Sequence, residues 1–146
     1  MFKSNLYFIP ENTFASVTKA KPDAHVAVFV AHEDYLPEAK NMLQQILAAV
    51  KIDIENDCIL CTVSRDTKVH YYNAISGGNV SKILVFGLST ENLCLHIKTS
   101  LYTKISIDQR DWIFADSLGA LLDEKAKGEK KKRVALWHGL KQLFEI

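Results

Sequence analysis

Two kinds of apolar pattern alternate along the chain. His25-Val26-Ala27-Val28-Phe29-Val30, Cys58-Ile59-Leu60-Cys61-Thr62-Val63 and Ile83-Leu84-Val85-Phe86 are nearly unbroken β-rich runs, and Trp112-Ile113-Phe114 is a shorter one. A strand that is apolar at almost every position has to be covered on both faces, which is the condition inside a parallel sheet. Between these runs the apolar residues switch to three- and four-residue spacing. After Pro37, a favourable first helical residue, Ala39, Met42, Leu43, Ile46, Leu47 and Val50 make one stripe. The spacing predicts a helix that packs on a sheet.

Shorter segments complete the alternation. Val69 to Ile75 predicts a short helix ended by Gly77-Gly78-Asn79, and Gly87 to Asn92 opens a helix over Leu93 to Lys98 with Ser89 or Thr90 as its cap. Leu118 to Leu122 predicts one or two helical turns. The closing helix runs from about Lys130 to Phe144, with Val134, Trp137, Leu140 and Phe144 on one face flanked by Leu136 and Leu143. Lys104 to Ile107 suggests a short edge strand. Strands alternating with helices imply right-handed crossovers and a three-layer α/β/α sandwich around a mainly parallel, four-stranded sheet.

At 146 residues the chain suits one domain, assigned to residues 24–146. Residues 1–23 precede it with one apolar piece, Leu6-Tyr7-Phe8-Ile9, stopped by Pro10. That piece fits an edge strand, where proline is tolerated, and equally an arm that orders on a partner. The charged share of 24% and formal charge of +1 leave no global attraction to nucleic acid or membrane, so any DNA contact must come from a local patch. No apolar run approaches the ~20 residues that span a bilayer, and Met1-Phe2-Lys3-Ser4 leads into no signal-peptide core. Three cysteines make no disulfide framework. A cytoplasmic protein without membrane partners is expected.

Candidate chemistry is sparse. Ligands collect where loops leave the C-terminal ends of strands, so His32, Glu33 and Asp34 are candidates for a general base or a water-positioning group. The later loop, Ala115-Asp116-Ser117, offers Ser117 as a further weak candidate. Cys58 and Cys61 have the spacing of zinc and redox pairs, but strand geometry sends them to opposite faces, and they are read as core residues. No metal or cofactor is expected. Gly87 to Asn92 could hold an anion on backbone N–H groups, which gives an alternative reading as a flavodoxin-like nucleotide-binding module. Lys125, Lys127, Lys130, Lys131, Lys132 and Arg133 concentrate positive charge, diluted by Asp123, Glu124 and Glu129. They are a solvated stretch or a patch for phosphate or an acidic partner.

The order of these pieces resembles the uracil-DNA glycosylase superfamily. Val30-Ala31-His32-Glu33-Asp34 stands where that family's first catalytic loop follows its first core strand, and Phe114-Ala115-Asp116-Ser117-Leu118 where its His-Pro-Ser segment precedes a short helix. Only Ser117 survives of that segment. Ala115 replaces the histidine that contacts the uracil carbonyl, and loss of one such stabilising group typically costs ~10²–10³ in rate. The chain is more similar to the catalytically silent psi-subunit family of bacterial DNA polymerase III, whose last helix carries an Arg-x-x-Leu-Trp pattern like Arg133-Val134-Ala135-Leu136-Trp137. The resemblance implies an accessory subunit whose partners are proteins of the replication clamp loader. Tyr7, Phe8 and Phe14 in the N-terminal arm, with Arg133 and Trp137, are then the partner-binding candidates. A divergent uracil-DNA glycosylase is the enzymatic alternative.

Overall fold

Six strands pair in the order β1-β3-β2-β4-β6-β5 in the computed structural model, which describes residues 15–17, 24–53, 57–71, 75, 80–95 and 97–145. The strands are β1 (Ala15–Val17), β2 (Val26–Ala31), β3 (Cys58–Val63), β4 (Lys82–Phe86), β5 (Ile105–Ile107) and β6 (Arg110–Ala115). The helices are α1 (Pro37–Ala49), α2 (Leu118–Ala126) and α3 (Lys131–Phe144). Every residue of β2 and of β3 is buried, as their apolar runs require. The core pairings are parallel, with Val28 opposite both Leu60 and Leu84, and Leu84 opposite Ile113.

The predicted α/β class and parallel core hold, and the edge strand suggested at Lys104 to Ile107 is β5, but among the described residues the sheet has six strands where four were expected. Both additions are antiparallel edges, Ala15 pairing with Val63 and Ile105 with Trp112. β1 falls in a polar stretch with no apolar run to announce it. β5 reaches β6 through Asp108 and Gln109, both left-handed at φ +54° and +64°, the backbone that a two-residue hairpin needs to follow strand twist.

Alternate strand residues feed two separate cores, as the period of two dictates. Val28, Leu84 and Ile113 face Leu43, Leu47, Leu121 and Leu140 from the three helices. Phe29, Ile83 and the fully buried Trp112 face the other way, against Tyr71, Ile75, Leu88 and Leu93. All three described helices therefore lie on one face. On the opposite face, where the pattern predicts a helix around residues 69–75, Tyr71 is helical and the Ile75 N–H donates to its carbonyl at 3.1 Å among the described residues. The helix predicted over 93–98 is replaced, among the described residues, by a 3₁₀ turn at Glu91–Leu93, because Cys94 is left-handed at φ +59° and stops propagation.

α3 is rotated from its expected orientation. Leu136, Gly139, Leu140 and Leu143 are buried, while Val134 and Trp137 keep 44% and 38% of their surface exposed. Apolar residues on both sides made two stripes available, and the inward one is displaced by about one residue, ~100° of helix. Gly139 lets the helix approach: a Cβ there would lie 3.3 Å from the Tyr102 carbonyl oxygen. Among the described residues no helix is long and apolar enough to cross a membrane.

Candidate functional site

From β2 the chain goes to β3 on one side, and β4 lies on the other. This reversal is the switch point at which α/β sheets hold ligands. Four loops leave the C-terminal ends there: the 3₁₀ turn His32–Asp34 after β2, Ser64-Arg65 after β3, Gly87 after β4 and Asp116-Ser117 after β6. Because Ala31 is in register with Val63, the first polar residues beyond each strand meet.

Their polar groups are spent on one another. The Ser64 hydroxyl donates to Glu33 Oε2 at 2.9 Å, and the Arg65 N–H to both Glu33 oxygens at 3.2 Å. The Arg65 guanidinium pairs with the Asp34 carboxylate and sends Nε to the Gly87 carbonyl at 3.4 Å. Asn92 Nδ2 donates to the Arg65 and Thr67 carbonyls, each at 2.9 Å. The Glu33 carboxyl lies below its ordinary pKa, held there first by its own backbone N–H and then, against some desolvation, by Ser64 and Arg65. A general base works best near the operating pH, so this shift is in the wrong direction for one. His32 is exposed on the same turn.

Ser117 is the N-cap of α2, its Oγ accepting the Ala120 N–H at 3.0 Å. Asp116 accepts from the Tyr102 hydroxyl and returns its own N–H to that oxygen at 3.2 Å. Burial first, then this bond, raises the Tyr102 pKa. Ala115 is buried. The loops are also wedged together. Gly87 sits at φ +76° with Ser117 Cβ 2.8 Å from where its own Cβ would be, and a Cβ on Gly119 would lie 3.2 Å from Asp34 Oδ1.

Two recesses flank this cluster. One, of about 560 Å³, lies between Gly87–Thr90, Lys98–Thr99, Leu101 and Phe114–Ser117. The other, of about 380 Å³, is lined by Glu33, Asp34, Leu36, Pro37, Gly119 and Leu122 among others. In the first, the Ser89 N–H and hydroxyl are both given to Asn92 Oδ1 at 3.0 Å, so two expected donors for an anion are already used.

The other predicted residues separate. Tyr7, Phe8 and Phe14 lie outside the described residues. Arg133 is turned inward: its Nε is 3.5 Å from Glu124 Oε1 and its Nη2 donates to the Glu129 carbonyl at 2.6 Å. Glu124, 4% exposed, also accepts the Lys132 and Arg133 N–H groups at 2.6 and 3.1 Å. Desolvation alone would raise its pKa, but those N–H groups outweigh it and the value is lowered. Glu124 thus caps α3 across the corner from α2. Lys125, Lys127, Lys130, Lys131 and Lys132 are exposed, and Trp137 stands near Lys141, whose Nζ is 6.0 Å from its ring centre.

Cys58 and Cys61 belong to the two opposite cores. Burial pushes the Cys61 thiol up to about 12, as for an inert core group. The residues not anticipated are Ser64, Arg65 and Tyr102, together with Glu124 in its role as a buried cap. Ser64 and Arg65 carried a positional signal, since they follow a buried strand. No family model, curated protein or solved structure matches the chain significantly.

Proposed function

We propose that this chain is a non-catalytic interaction subunit of the DNA replication machinery, similar to the psi subunit of the clamp loader and built on a glycosylase-like α/β arrangement. The observation that carries this reading is the crevice at the switch point. Glu33, Asp34, Ser64 and Arg65 are bonded to one another, Asp116 is bonded to Tyr102, and Ala115 and the Ser117 cap stand where a catalytic segment would be needed. The outward resource is a helix with an exposed Trp137 beside exposed lysines, and tryptophan is enriched at interface hot spots. Capture on the immobilised full chain from an extract of its source cell tests this: clamp-loader proteins should be recovered, and their absence would count against the assignment.

Glu33 and Asp34 beside an open recess favour a second reading, a divergent uracil-DNA glycosylase in which a carboxylate positions water. Incubation with uracil-containing single- and double-stranded DNA separates the two. Abasic sites formed by the wild type and lost in Asp34→Ala would support the enzyme; no abasic sites above background supports the subunit.

A further inference from the structure

We infer that the outward face of α3 is a docking surface for an acidic protein segment carrying large apolar residues. This deepens the interaction-subunit reading and rests on it. With Leu136, Gly139, Leu140 and Leu143 turned to the core, helical geometry places Lys131, Val134, His138 and Lys141 on the opposite side, with Trp137 at its margin. Val134 and Trp137 are the exposed apolar pair of this helix, at 44% and 38%. A β-branched residue and an indole one turn apart form a small apolar spot that the fold itself does not use.

Charge decides what fits it. Lys125, Lys127, Lys130, Lys131 and Lys132 are all exposed at the entry to the helix, and Lys141 reaches over the Trp137 ring. Glu124, the acid at this corner, is buried and committed to the Lys132 and Arg133 N–H groups and to Arg133 Nε, and so does not offset the lysines. Asp123 and Glu129 remain exposed and are outnumbered by the lysines. An apolar spot with Lys131 and Lys141 on its face and further exposed lysines at the helix entry complements a segment of aspartates and glutamates around one or two large apolar side chains. Single-stranded nucleic acid is the weaker fit. Its platforms stack successive bases on successive large aromatics, whereas Trp137 is the one exposed residue among the described Phe, Tyr and Trp side chains, and its apolar neighbour is an aliphatic valine.

The test is fluorescence anisotropy of a labelled peptide of Asp and Glu residues around one Phe and one Leu, titrated with the full chain. The expected result is saturable binding that weakens with salt. It should fall about tenfold when the peptide's Phe and Leu become Ser, and about tenfold in Trp137→Ser. Val134→Ser and Lys131→Glu should weaken binding as well, with the circular dichroism of each variant unchanged. Binding indifferent to Trp137→Ser and to the loss of Phe and Leu would overturn the proposal, as would Trp137-dependent binding of oligo-dT in place of the peptide. If the peptide fails while purified clamp loader still binds the chain, this surface is refuted and the interaction-subunit reading stands.

Discussion

Ser117 shows how one residue can carry a catalytic resemblance and a structural task at once. Its hydroxyl caps α2, so Ser117→Ala should lower stability by about 1 kcal/mol, read as a shift in the urea midpoint, and Ser117→Asp should preserve it. Gly87 is more constrained: Gly87→Ala puts a Cβ 2.8 Å from Ser117 Cβ at φ +76°. The left-handed backbone alone costs roughly 1–2 kcal/mol, and the contact adds to it, so a loss of about 2–3 kcal/mol is expected by the same measurement. The carboxylates give a pH dependence. Glu33, Glu124 and Asp111 all have lowered folded-state pKa values, Asp111 chiefly through the Ser106 hydroxyl and then Lys82. A depressed value contributes stability above the unfolded-state pKa, 4.5 for Glu and 3.8 for Asp, and that stability is lost as pH falls through the folded-state value. Urea midpoints should therefore be flat from neutrality to about pH 5 and decline below 4.5. Glu124→Gln should lower the midpoint at neutral pH and make the acid decline shallower.

Elements differ in how far the sequence announces them. β2, β3 and β4 were legible because burial on both faces demands continuous apolar residues, and α1 because its stripe is one-sided. β1 is three residues, Ala15 to Val17, too short for any periodicity. The helix expected after Leu93 fails at one left-handed residue, Cys94. α3 was legible as a helix but not in its rotation, since Val134 and Trp137 look as inward as Leu136 and Leu140. Stability separates the two stripes: Leu140→Ala should cost about 2–5 kcal/mol by cavity formation, and Trp137→Ser no more than about 0.5 kcal/mol. In the β5–β6 hairpin, Gln109 at φ +64° stands where glycine is favoured after aspartate. Gln109→Gly should raise stability by roughly 0.5 kcal/mol, the relief of left-handed strain less the added chain entropy.

At the scale of the whole molecule, the sheet gathers polar loops at its C-terminal edge and then locks them together. Glu33 and Asp34 were legible as candidates from their place after the first core strand. Their partner Arg65 was not, because it lies 31 residues from Asp34 in sequence and is delivered by the register of β2 against β3. The same holds for Glu124, whose apparent role as a diluting surface charge becomes a buried cap once α2 and α3 meet. Asp34→Ala removes Arg65's carboxylate partner without touching the outer face of α3, and Trp137→Ser does the reverse. The two variants therefore divide the crevice from the surface. The decisive measurement is co-elution of the purified full chain with the purified clamp-loader complex of its own source cell on analytical size exclusion. The expected result is a complex that persists in Asp34→Ala and Ser117→Ala and is weakened in Trp137→Ser. No complex with the wild type, or a complex lost in Asp34→Ala and retained in Trp137→Ser, would contradict it.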